Sequence, residues 1–270
     1  MERLRGGFGF AFTLCLAWLL IAFLILPLLI VVPISFTPER YLSLPEGTYS
    51  LRHYETVFTD RGWRKGIFDS TVVALGAAAL AIVMGTLCAI GLWKLSSRLG
   101  ETIRILALTP MIVPPIVHAL GMYRVWVDYG LIDTYSGLIL AHAMKGIPFV
   151  VISVSAVLSN FDPRLEQAAR SLGAGPLTAM RLTILPNIWP GVLAGGVFAF
   201  AISWDEIVVA LFLTRRRVDT LPRQIWDGIQ DNISPAVAAV GVLLILATIL
   251  AVLGKMAWDR RMAARARGPA

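Results

Sequence analysis

Six long apolar runs, separated by short polar stretches, set the pattern of this chain. They cover roughly 8–34, 67–93, 103–126, 137–158, 188–214 and 236–258. Blocks of about 18 or more nearly uncharged residues read as membrane-spanning helices. They are too long and too uniform for barrel strands, and lipid tolerates only helices or closed barrels. The pattern therefore predicts an all-α integral membrane protein with six transmembrane helices, built as one domain over 1–270.

The polar stretches differ in character. Ser35 to Lys65, Val127 to Ser136 and Arg215 to Pro235 read as loops. The stretch 160–186 is a structured island. Asp162-Pro163 is a helix start, with Asp accepting from free amides and Pro fitting the first turn. Gly173 can adopt the left-handed conformation that ends the helix. Pro176 can open a second short helix, and Pro186 is expected to close the region at the membrane. Pro110, Pro114 and Pro115 predict a kink in the third span. Pro27 and Pro33 suggest a bend and a stop in the first. Arg3 and Arg5 precede that span as in a signal peptide, but its apolar core is too long for one, so it is expected to stay as an anchor.

Composition agrees with this picture. The chain is 57% hydrophobic and 15% charged, with mean hydropathy +0.74. Its net charge of +7 would point to nucleic acid in a soluble protein. Here most of the cations flank the spans, so no nucleic-acid partner is expected. Cys15 and Cys88 lie in apolar runs and read as small core residues. There is no metal-type Cys or His spacing and no set of catalytic groups. His118 and His142 fall in spans, where helix–helix hydrogen bonding is the expected role. Trp63, Trp93, Trp126, Tyr129 and Trp258 read as interface anchors.

One polar cluster lies inside the spans. Asp205 and Glu206 follow Trp204 in the fifth run, and Lys145 lies in the fourth. Intramembrane carboxylates are costly and usually face a cavity or a partner. Lys145 and the acidic pair sit at similar depth on consecutive spans, so one carboxylate can meet Lys145 while the other faces a path. Adjacent Trp204 favours Asp205 for the path, although either assignment remains open. An acidic group beside an aromatic ring suits a passing ammonium.

The island LEQAARSLGAGPLTAMRLTILP resembles the "EAA" loop of the membrane subunits of bacterial ABC importers. Ala168, Ala169, Gly173, Leu185 and Pro186 fall in register with that loop. Gln167 stands at the usual Glu, with Glu166 one residue earlier, and Thr183 stands at the usual Ile. SWDEIVVALF at 203–212, Thr220-Leu221-Pro222 and Ile233-Ser234-Pro235 resemble the spermidine/putrescine permease group, in its second-subunit branch.

The resemblance implies a type I ABC importer permease fold with a cytoplasmic coupling-helix loop between helices 4 and 5. It also implies a location in the bacterial inner membrane, multi-pass. The implied partners are a second permease subunit in a heterodimer, a dimer of ATPase subunits and a periplasmic solute-binding protein. ATP and Mg would be bound by the ATPase, since this chain has no phosphate-cradling G-x-x-x-x-G-K-[ST] loop. Relatives with this signature also serve iron(III), phosphonates and opine-like compounds, so the solute stays open. A stand-alone secondary transporter is the other alternative, but no inverted repeat is apparent. With an even number of spans both termini share a side. The charge rule places them in the cytoplasm by a narrow margin, and Arg215–Arg217 count against it.

Overall fold

The computed structural model describes residues 8–95, 97–231 and 234–266. Arg3, Arg5, Ile233 and Arg267 lie outside them. Among the described residues every regular element is helical: α1 (Phe8–Ser35), α2 (Arg52–Thr59), α3 (Arg61–Lys94), α4 (Arg98–Ile112), α5 (Pro115–Asp128), α6 (Tyr135–Leu158), α7 (Pro163–Ser171), α8 (Pro176–Ala179), a π-turn (Met180–Ile184), α9 (Leu185–Asp205), α10 (Val208–Leu213), α11 (Leu221–Asp231) and α12 (Ala236–Ala266). Among the described residues five helices are long and apolar enough to cross a membrane, or up to six if the bent pair α4–α5 is one span.

The chain divides into two compact units, one of Met1–Arg64 with Ile225–Ala270 and one of Lys65–Gln224. In the first unit α12 packs on α1 and α2. Ser35 and Tyr54 share a hydroxyl hydrogen bond of 2.7 Å, and the Phe36 and Tyr54 rings meet at 5.4 Å. The most apolar stretch of α1 has no buried residue. Cys15 therefore sits exposed rather than in a core.

The second unit is built on close helix packing. A Cβ on Gly195 would lie 2.7 Å from the Val150 Cα, and one on Gly191 would lie 2.8 Å from the Ser153 carbonyl. These glycines form a G-x-x-x-G face on α9 that lets its backbone approach α6. A Cβ on Gly85 of α3 would likewise meet Val150 at 2.7 Å. Ala81, Val150, Val154, Ile184, Ile188 and Val192 fill the resulting core. A second cluster joins Val73, Ala119, Leu138, Val209, Ala210 and Leu213.

Four expectations change. The third span is two helices, α4 and α5, bent by 105°. Pro114 and Pro115 remove two successive amides, and Val113 before them is extended at ψ 126°, as a residue preceding proline prefers. Pro110 sits inside α4 without breaking it. The fifth span stops at Asp205, and α10 begins only at Val208. The two loops 35–65 and 215–235 contain α2 and α11. Finally, Pro186 does not close the island. Residues Pro176–Asp205 run on as one rod of 30 residues, because the π-turn lets the Leu185 N–H bond the Met180 carbonyl ahead of the proline.

Candidate functional site

Two lysines mark the two ends of α3 in the second unit. Lys94 donates to Glu166 of the island at 2.7 Å. Lys65 pairs with Asp69 and donates to the Arg217 carbonyl at 2.8 Å. At 1.5 Å per residue these ends are about 44 Å apart. The island and the segment after α10 therefore occupy opposite ends of the unit.

The island folds from its local signals. The Asp162 carboxylate accepts from the Arg164 N–H at 2.9 Å and starts α7. Gly173, with φ 88°, ends it, and Trp93 meets Phe161 edge-on at 5.6 Å below. Glu166 is turned inward by Lys94, whereas Gln167 and Ala168 face outward and Ala169 is half-buried. Leu185 and Pro186 begin α9 and are exposed. Large apolar side chains stand out from this polar segment: Leu172 is 88% exposed, Leu182 75% and Leu177 62%. Sequence reasoning did not single out these leucines. Their apolarity within a stretch too charged for lipid is the signal that could have found them.

The intramembrane cluster gathers where α9 breaks. Glu206 is extended, at ψ 106°. Its Oε1 accepts from the Val209 N–H at 3.1 Å, which caps the start of α10. Its Oε2 accepts from Lys145 of α6. One turn away, His142 and Ser203 are hydrogen-bonded at 2.9 Å. His118 and His142 each keep a buried Nε2 without a hydrogen-bond partner. Asp205 ends α9 and is exposed. Beside it Trp204 stacks on Phe200 with ring centroids 5.6 Å apart. The pair predicted at this depth is thus split by the helix break: Glu206 turns into the protein and Asp205 out of it.

A third polar centre lies at the far end of the unit. Asp69 is 1% exposed. It accepts from the Tyr135 hydroxyl at 2.6 Å and the Asp219 N–H at 2.8 Å, besides pairing with Lys65. Asp133 has a left-handed backbone, φ 58°. Its carboxylate accepts from the N–H groups of Arg215 at 2.9 Å, Arg216 at 3.2 Å, Arg217 at 3.0 Å and Val218 at 3.2 Å. Burial raises its pKa, but these four donors outweigh that and hold the carboxyl below its ordinary value. Neither aspartate was singled out from the sequence, although Asp69 lies within a predicted span. Among the described residues no group of three or more His, Cys, Asp or Glu is placed to hold a metal ion. The Trp126 indole donates to the Gly137 carbonyl at 2.8 Å, tying α5 to α6.

Comparison with known proteins identifies the family. The family described as "Binding-protein-dependent transport system inner membrane component" matches residues 81–264. The chain is 30% identical over 236 residues to the spermidine/putrescine transport system permease protein PotC of Haemophilus influenzae, covering 87% of this chain and 91% of that one. It is 26% identical over 247 residues to the putrescine transport system permease protein PotI of Escherichia coli K12, covering 87% and 85%. A bacterial ABC transporter that imports the acidic polysaccharide alginate contains a chain of the same fold. The TM-score is 0.68 at 17% identity, over 93% of this chain and 96% of that chain. These relatives are transport subunits rather than enzymes. The chain belongs to the binding-protein-dependent transport system inner membrane components, and is an integral inner-membrane permease of an ABC importer with the type I fold.

Proposed function

We propose that this permease forms half of the pathway of a polyamine importer and is driven through 160–186 by a separate ATPase. The observation that carries this reading is mechanical. The exposed leucines of the island stand on or beside a rod, Pro176–Asp205, that ends at the Glu206 break. A push on the island travels about 45 Å along one helix and arrives where α9 gives way to α10. Discontinuous helices are a recurring way to build solute sites in transporters, because the freed backbone and side chains line a cavity.

In this reading Ala168 and Ala169 allow close approach of the ATPase, Gly173 sets the turn that presents Leu172, and Glu166 fixes the island to α3. Gln167 lies on the outward face of α7. ATP and Mg belong to the ATPase dimer, and this chain carries no cofactor. A second permease chain supplies the other half of the pathway, and a periplasmic binding protein delivers the solute. Both termini and the island lie in the cytoplasm.

Polyamine specificity rests on the names of the relatives and on Asp205 with Trp204. An exposed carboxylate beside an aromatic face attracts an ammonium by charge and by cation–π contact. Glu206 is committed to Lys145 and to the α10 cap, which leaves Asp205 as the available charge. Uptake of labelled putrescine and spermidine by cells making the assembled importer tests this. Saturable uptake that unlabelled polyamine competes away supports it. Competition by iron(III), a phosphonate or an opine, with none by polyamine, replaces the solute but keeps the importer.

A further inference from the structure

Arg215, Arg216 and Arg217 are three consecutive cations at the end of the second unit opposite the island. On the topology proposed above they face outward, where the charge rule disfavours them. Their backbone N–H groups are all engaged. Asp133 accepts from all three amides and from the Val218 amide, while its own N–H donates to the Leu213 carbonyl at 2.8 Å. The carboxylate needs nothing from the guanidinium groups to hold this loop. The three side chains are exposed. None of them forms an ion pair among the described residues. The nearby cations are already used: Lys65 by Asp69, and Arg223 by the Thr214 carbonyl and hydroxyl. The result is a held backbone carrying three exposed guanidinium forks, with the Arg217 charge also felt at Tyr135.

We infer that Arg215–Arg217 are the contact through which this permease engages an acidic surface of its soluble binding protein. The inference rests on the importer reading, which places the island in the cytoplasm and this loop outside. One observation selects a soluble protein as the occupant, and the guanidinium chemistry is compatible with its carboxylates. The family transports in a binding-protein-dependent way, so a soluble partner must meet the outer face. A fork of N–H donors matches carboxylates in bidentate fashion. Because the backbone is held by Asp133, only the side chains remain to be ordered when the partner arrives. Exposed charges at the rim of an interface act mainly on association rate and its salt dependence.

The test uses the assembled importer in proteoliposomes with ATP inside. The probe is the binding protein that supports its uptake, titrated outside at about 50 and about 300 mM NaCl. For the unaltered importer, the half-saturating binding-protein concentration should rise with salt. Arg215→Gln/Arg216→Gln/Arg217→Gln should raise it about tenfold at low salt and flatten the salt dependence, with the maximal rate unchanged. An unchanged half-saturating concentration overturns the inference, whether or not the maximal rate falls. If the triple variant fails to retain the ATPase, Arg216→Gln alone should still raise the value about threefold. The effect should persist in vesicles of neutral lipid. Its disappearance there would assign the triplet to anionic headgroups and overturn the inference. Uptake by the unaltered importer that needs no added binding protein would defeat the importer reading itself, whatever the variants do.

Discussion

Glu206 holds two elements at once: one carboxylate oxygen accepts from Lys145 of α6, and the other caps α10 through the Val209 N–H. Removing its charge leaves the Lys145 ammonium buried without a partner. Breaking one side of a buried pair costs about 3–5 kcal/mol, whereas replacing both sides is far milder. Glu206→Gln should therefore lower the thermal unfolding midpoint of the purified permease. Lys145→Met combined with Glu206→Gln should recover most of the loss, since Gln can still accept from Val209. Equal stability of the single and double variants would mean that the ion pair contributes nothing.

Asp205 behaves differently because it is exposed and forms no ion pair among the described residues. Asp205→Asn should leave the unfolding midpoint unchanged and reduce polyamine uptake about tenfold, a loss equal to one charge-assisted contact of about 1.4 kcal/mol. Full uptake by this variant would remove Asp205 from the path.

The α6–α9 contact depends on the absence of side chains at Gly191 and Gly195. A methyl group on Gly195 would meet backbone, the Val150 Cα at 2.7 Å, so the helices must part. Gly195→Ala should destabilise by about 1–3 kcal/mol, the usual cost of overpacking, as read by thermal unfolding in detergent. Gly254→Ala, with open space around it, should have no such effect.

Acid should loosen the far end of the unit through Asp133. Its native pKa lies below the ordinary 3.8. A depressed carboxyl contributes stability that is fully present above its unfolded value and is lost as pH falls through its native value. The loop 215–218 should thus stay protected from proteolysis above about pH 4 and become cleavable below it. Asp133→Asn should give cleavage that does not change across this range.

Much of this fold is legible in the sequence, and the exceptions have physical causes. The spans follow from runs of apolar residues, and the island's first helix from Asp162 and Gly173. Even the meeting of Lys145 with the acidic pair follows from counting depth along two antiparallel helices. The break after Asp205 does not follow. Its sequence has no Pro or Gly, and the Glu206 carboxylate that caps α10 is also held by Lys145, far away in the chain. The Asp133 cradle is hidden for the same reason, since its donors lie some eighty residues on. The prolines at 114 and 115 announce a bend but not its size, 105°. The π-turn at 180–184 reverses the usual reading of Pro186 as a stop.

Orientation is open to direct labelling. In a background without Cys15 and Cys88, Arg216→Cys should react with an impermeant thiol reagent on intact spheroplasts. Ser171→Cys should react only after permeabilisation. Both positions are exposed, so burial does not confuse the result. Labelling of Ser171→Cys from outside would invert the topology.

The most direct test of the coupling role is retention of the ATPase subunit when the importer is purified with Leu172→Asp. Leu172 is 88% exposed and takes no part in the described core, so the variant should insert and unfold as the unaltered chain does. The ATPase should be lost on purification, and solute uptake should fall with it. Full retention of the ATPase, with unaltered uptake, would contradict the assignment of 160–186 as the coupling surface.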